Sequence, residues 1–97
     1  MSKGYWIARV NVRDSEAFKK YASRAKLAIE KHGGKYVARG GKFSVLEGKH
    51  DFERNVVVEF PSYEQAKSAY ESNEYQSAKK ILGNNKDRIF AIVEGTQ

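Results

Sequence analysis

A carboxylate follows three valines in the run Arg54-Asn55-Val56-Val57-Val58-Glu59-Phe60, which makes Glu59 the first residue to consider for chemistry. The run has the β-branched density of a central strand, where a lone charge is costly unless paired. With side chains alternating at period two, Asn55 and Glu59 share a face, and Arg9 with Asn11 lie on the matching face of a neighbouring strand. Glu59 then reads either as a general base in a cleft or as half of a structural ion pair with Arg9. His50, in the polar connection from Gly48 to Glu53, is the second candidate for proton transfer, because an unperturbed imidazole titrates near neutral pH. A lone histidine in a polar loop is equally what plain surface looks like.

Arginines stand at the ends of the extended runs: Arg39, Arg54 and Arg88, with Arg9 inside the first. A guanidinium fork matches a carboxylate or phosphate, so Arg9, Arg39 and Arg54 are candidate ligand-binding residues. Gly40-Gly41 beside Arg39 could offer backbone amides to an anion, although a Gly-Gly turn is the more ordinary explanation and no phosphate-loop motif is present. Tyr5, Tyr36 and Tyr75 could bring phenolic hydroxyls to a cavity, and half-buried tyrosines are also common packing residues. Tyr5 and Tyr75 join the candidate ligand-binding set.

No cysteine occurs, which excludes disulfides, thiolate metal sites and thiol nucleophiles. His32 and His50 have no ligand spacing with each other or with a carboxylate, so neither a metal nor a cofactor is expected. His32 suits the C-terminal end of a helix. The formal charge of +6 would attract nucleic acid, anionic lipid or an acidic ligand. Much of it falls on Lys19, Lys20, Arg24, Lys26 and Lys31 of one candidate helix, where a solvated face is the default. The N-terminus enters an alternating pattern with no apolar leader core, and no apolar run is long enough to span a bilayer. A soluble, cytoplasmic protein with no membrane partner is expected.

The elements that must position these residues are legible along the chain. Its 97 residues suit one domain, 1–97, and 40% hydrophobic content supports a core. Gly4 to Val12 reads as a strand. Asp14 is an N-cap for a helix whose Phe18, Tyr21, Ala22, Ala25 and Ile29 form one stripe, ended by Gly33-Gly34. Lys35 to Arg39 is a second strand, and Phe43 to Glu47 a further extended arm. Arg54 to Phe60 is a third strand, closed by Pro61. Ser62 and Gln65 make a capping box for a second helix, broken at Ser72-Asn73, where Asn73 caps another. Gly83-Asn84-Asn85 is a turn, and Arg88 to Glu94 the last strand.

This order predicts an α+β fold, a ferredoxin-like βαββαβ unit with an antiparallel sheet and helices on one face. Right-handed crossovers are expected to set the first and third strands side by side and parallel at the centre, the outer two running antiparallel to them. The other face would hold Ile7, Val57 and either Phe90 with Ile92 or Ala91 with Val93. Several hundred Å² of exposed apolar sheet is unusual for a monomer, so a second copy packed sheet to sheet is expected. The rival is a closed monomer with the Phe43–Glu47 arm folded over that face.

Gly4-Tyr5-Trp6, Ala8-Arg9-Val10, Tyr21, Gly33-Gly34, Arg39-Gly40-Gly41 and Val45-Leu46-Glu47-Gly48 carry a family resemblance. It continues through Val57-Val58-Glu59-Phe60-Pro61-Ser62, Glu74-Tyr75-Gln76 and Val93-Glu94-Gly95. Over nearly the whole chain the sequence resembles the domain-of-unknown-function 1330 family of the dimeric α/β-barrel superfamily. The resemblance implies a ferredoxin-like fold paired into a dimeric α/β barrel, a side-by-side homodimer. It implies no established activity, so no catalytic residue is carried over. Where the family often has tryptophan or proline after Leu-Glu-Gly, this chain has Lys49-His50-Asp51-Phe52.

Three functions fit these residues. The first is binding of a small anionic or aromatic molecule in a cleft beside the sheet, extended to cofactor-independent isomerase, lyase or oxygenase chemistry with Glu59 or His50 as base. The second is a non-catalytic ligand-binding or stress-associated module using the same cleft. RNA binding ranks third, because Asn55 to Phe60 lacks the Lys/Arg-Gly-aromatic signature of RNA-recognition strands and carries a carboxylate.

Overall fold

The computed structural model describes residues 2–49, 51–83 and 87–97. Strand β1 spans Gly4–Val10 and is followed by helix α1, Ser15–Lys31. Asp14 caps α1, its carboxylate accepting from the amides of Glu16 and Ala17 at 3.1 Å each. Gly33 at φ 77° ends the helix in the left-handed conformation that a side chain resists. Strand β2, Lys35–Arg39, and strand β3, Arg54–Phe60, follow. Ser62 then caps α2, Tyr63–Glu71, accepting from Gln65 N at 3.1 Å. Helix α3, Asn73–Ile81, and strand β4, Arg88–Glu94, complete the order.

Two local expectations are corrected. The cap of α3 is Ser72, not Asn73: its hydroxyl donates to Ala69 O at 2.7 Å and accepts from Tyr75 N at 3.2 Å. One side chain therefore closes α2 and opens α3, and Asn73 becomes the first residue of the helix. The Phe43–Glu47 segment forms no strand. It leaves β2 beyond Gly40, and Phe43, Val45 and Leu46 stay exposed. Of the expected Gly83-Asn84-Asn85 turn, Asn84 and Asn85 lie outside the described residues.

The sheet order is β2-β3-β1-β4, and every neighbouring pair is antiparallel. The expected parallel pairing of the first and third strands is thus wrong. The crossover through α1 makes β1 and β2 parallel but leaves a gap between them. The chain turns back through residues 40–53 and fills that gap with β3, which must run against both neighbours. The second crossover places β4 on the far side of β1 by the same rule.

The helices cover one face. Trp6, Ala8 and Val10 of β1, with Val58 and Phe60 of β3, are buried against Tyr21, Ala25, Ala28 and Ile29 of α1 and Ala66, Ala69, Tyr75 and Ala78 of α2 and α3. Alanines on the inner helix faces allow close approach, and aromatics fill the middle: Trp6 lies 4.9 Å from Phe60 and 5.1 Å from both Tyr75 and Phe90 between ring centroids. The buried indole N–H donates to Ala66 O at 2.8 Å. Alternation sends Tyr5, Ile7 and Arg9, Asn55, Val57 and Glu59, and Ile89, Ala91 and Val93 to the opposite face, which no helix covers. Of the two sets left open for the last strand, Ala91 and Val93 are the ones on that face, joined by Ile89. No helix among the described residues is long and apolar enough to cross a membrane.

Candidate functional site

Three arginines meet at one end of the helix-covered face. Val10 is the register partner of Arg54 on one side and of Arg88 on the other, so the two flank β1 at one level, pointing with Val10 toward α1. Arg39 sits on the next strand, paired with Val56 on the same face. Between them and α1 lies a cavity of about 50 Å³. Its floor includes Ala8 and Val56 and its roof Phe18, Ala22 and Ala25. The cavity exists because alanines face each other across the helix–sheet interface where larger side chains would have closed it.

The cationic end is layered. Arg88 Nη1 donates to the Tyr21 hydroxyl and Nη2 to the Tyr75 hydroxyl, each at 3.2 Å, while the two phenols hydrogen bond to each other at 2.8 Å. Burial holds the Tyr75 phenol well above its usual range, the neighbouring Tyr21 adds to this, and Arg88 opposes it. Burial likewise pushes the Tyr36 phenol up against the pull of Arg39, whose guanidinium lies 4.2 Å from the Tyr36 ring centre. Both phenols therefore stay neutral near pH 7. The Arg54 guanidinium lies 5.4 Å from the Phe18 ring centre, and its Nε is buried without a hydrogen-bond partner. Among the described residues, no ion pair joins Arg39, Arg54 or Arg88 to a carboxylate.

A polar clasp fixes this end of the sheet. Asn11 donates from Nδ2 to Asp51 O at 2.8 Å and to the Asp87 carboxylate at 3.2 Å, and its Oδ1 accepts from Glu53 N at 2.8 Å. Its backbone amide donates to Asp87 O at 3.1 Å. The two segments it grips lead directly into Arg54 and Arg88. Asp87 also pairs with Arg13.

The sequence-derived candidates divide between the two faces. Arg39 and Arg54 come together in the cavity wall, with Arg88 and Tyr36. Tyr75 lies behind that wall, fully buried, and meets it through the hydroxyl it shares with Tyr21 and Arg88. Glu59, Tyr5 and Arg9 lie on the open face instead. Glu59 is the register partner of Tyr5, and its carboxylate is 3.7 Å from Lys35 Nζ. The expected Glu59–Arg9 pair does not form: Arg9 is opposite Asn55, four residues along the strand and on the order of 13 Å away. His50 lies outside the described residues. Tyr21 and Phe18, both in the α1 stripe and neither among the candidate ligand-binding residues, also line the cavity. The sequence carried no signal for the clasp, because Asn11 gains its role from partners 40 and 76 residues away.

The lining determines what the cavity can do. It offers an apolar body site, neutral phenols and uncompensated guanidinium groups, and among the described residues no carboxylate or imidazole lines it. That set can hold an anion with an apolar body. Groups of histidine and acidic residues arranged to hold a metal do not occur among the described residues.

Known structures share the fold. A protein of unknown function from Rhodopseudomonas palustris, RPA0582, matches with a TM-score of 0.78 at 19% identity, over 99% of this chain and 84% of that one. An ethyl tert-butyl ether D (EthD) family protein from Bacillus halodurans C-125 matches with a TM-score of 0.57 at 16% identity, over 99% and 100% of the two chains. A proposed antibiotic biosynthesis monooxygenase from Nitrosomonas europaea matches with a TM-score of 0.57 at 21% identity, over 100% of both. At these identities the likeness is one of fold, which is ferredoxin-like. No curated protein matches the chain. The family model for the domain of unknown function DUF1330 matches residues 3–96, and the chain belongs to that family.

Proposed function

We propose that this protein binds a small molecule with an apolar body and a negative charge in the cavity between α1 and the sheet. The observation that carries this reading is the convergence of Arg39, Arg54 and Arg88, unneutralised by any carboxylate among the described residues, on a space walled by alanines and aromatics. Small-molecule sites have this composition, with few polar groups set in a mostly apolar wall. The lining supports binding more strongly than turnover, because Glu59, the candidate base, faces the other way. Trp6 is the single tryptophan of the chain and lines the cavity, so its fluorescence reports occupancy. Small organic acids are expected to give a saturable change; a flat response to a broad panel overturns the proposal.

The working form is a homodimer joined through the open face of the sheet. Ile89 is 53% and Val93 45% exposed there, beside Ile7 and Val57. Phe43 to Glu47 lies beside Arg9 and Asn55, while Ile89 and Val93 of β4 remain exposed, which argues against the self-covered monomer. Apolar area contributes roughly 25 cal/mol per Å² when covered, so a twin supplies what the chain's own helices do not. Sedimentation velocity at micromolar concentration is expected to give the dimer mass, and Val93→Lys to shift it to monomer. A wild-type monomer contradicts the assembly.

A further inference from the structure

Resting on the cavity reading above, the geometry points to a finer assignment: we infer that the ligand carries one carboxylate and that Arg54 holds it. Arg88 and Arg54 stand on either side of Val10, but their donors are not in the same state. Arg88 has committed Nη1 and Nη2 to the Tyr21 and Tyr75 hydroxyls. Among the described residues, Arg54 Nε is buried with no hydrogen-bond partner, and no carboxylate pairs with its guanidinium, which rests near the Phe18 ring. A buried donor on a charged group is expensive to leave unmade, so an acceptor belongs beside it. The edge formed by Nε and one Nη presents two parallel N–H bonds, the spacing of a planar carboxylate.

The surroundings limit the ligand further. Gly40, at φ 66°, lies against Arg54, and a Cβ there would run into the guanidinium. Its amide is fixed to Asn55 O at 2.8 Å, so the backbone closes on Arg54 from that side. Arg54 is also part of the cavity wall, and a ligand acceptor reaches its Nε from there once the guanidinium shifts, because that atom is sealed from water-sized groups where it rests. Arg39 is laid over Tyr36 at the exposed rim. A phosphate, with a second charge and a third oxygen, would require donors that Arg88 has already committed. The cavity of about 50 Å³ holds on the order of four water-sized groups, which sets the part of the body that it encloses at about four carbons. The class is therefore a compact monocarboxylic acid, aliphatic or aromatic.

Isothermal titration of the full chain with benzoate, benzamide, butyrate, butyramide and phenylphosphonate tests the assignment. Each acid is expected to bind about tenfold or more tighter than its amide, the loss typical of one charge-assisted hydrogen bond. Arg54→Met should weaken the acids far more than the amides, whose one neutral carbonyl oxygen loses only an uncharged acceptor's bond, and so remove most of the acid–amide difference. Arg54→Lys, which keeps charge but not the fork and guards against misfolding of the methionine variant, should lose most of the discrimination. Gly40→Ala, which removes no charge, should weaken the acids several-fold by displacing the guanidinium. Equal binding of acid and amide by the wild type overturns the inference and, with it, the negative charge that the cavity reading assigns to the ligand. Discrimination that survives in Arg54→Met, or phenylphosphonate binding tenfold tighter than benzoate, overturns the inference alone. Failure of all five probes to bind overturns both.

Discussion

Tyr75 illustrates how one buried side chain serves packing and polarity together. Its ring belongs to the aromatic core, and its hydroxyl is shared with Tyr21 and Arg88. Burial raises its pKa above the ordinary phenol value of 10.0, so the folded state prefers the protonated form more than the unfolded chain does. Its contribution is present in full below about pH 10 and is lost as pH rises beyond, because the unfolded chain then gives up the proton first. Urea midpoints of the wild type are expected to fall between pH 9 and pH 11. Tyr75→Phe should flatten that fall while costing about 1–2 kcal/mol at neutral pH through the lost hydroxyl. An equally steep fall in the variant would assign the alkaline loss to other groups. At this scale the sequence named several residues of the cavity wall without their grouping. Arg39, Arg54 and Arg88 were visible as cations at strand ends, but only strand register brings them to one cavity. Glu59 drew attention for its place behind three valines. Period two tied it to the face of Asn55 without telling which face the helices would cover.

The elements were more legible, because their signals are local. Asp14 and Ser62 cap helices where their types and spacing indicate, and all four strands fall at the β-branched runs. The errors came where one signal had two bearers or where direction depended on the whole path. Ser72 and Asn73 are both good caps, and the serine prevails by bonding both helices. The direction of β3 relative to β1 follows from the slot it fills, which no single segment encodes. The Asn11 clasp belongs to this scale too, since it joins the end of β1 to the segments preceding β3 and β4. Asn11→Ala is expected to cost about 1–3 kcal/mol in urea unfolding, because three partners lose their bonds at once. It should also weaken acid binding through misplacement of Arg54 and Arg88, with the amides unaffected. If stability falls and the acids bind as before, the clasp is a brace and not a positioning device.

For the whole molecule, the two faces of the sheet differ in what covers them. The helix-covered face holds the core and, at one end, a gap left by alanines and ringed with cations. The open face carries an apolar surface that the chain does not cover, with the Lys35–Glu59 pair and Arg9 among it. The basic helix surface lies apart from both faces of the sheet, with Lys19, Lys20, Arg24, Lys26 and Lys31 all exposed on α1. Among β1 and β3, the open face carries Tyr5 as its aromatic, set opposite Glu59, which is a poor platform for stacked bases. The central claim is that a ligand enters the gap under α1, and its most direct test is the Trp6 titration repeated with that gap filled. Ala22→Leu places three more carbons in the roof of the cavity and touches neither the arginines nor the open face. Expected is loss of the fluorescence response to acids, with the fold and the sedimentation coefficient of the wild type retained. An Ala22→Leu protein that still binds acids at wild-type affinity would put the ligand elsewhere and contradict the account.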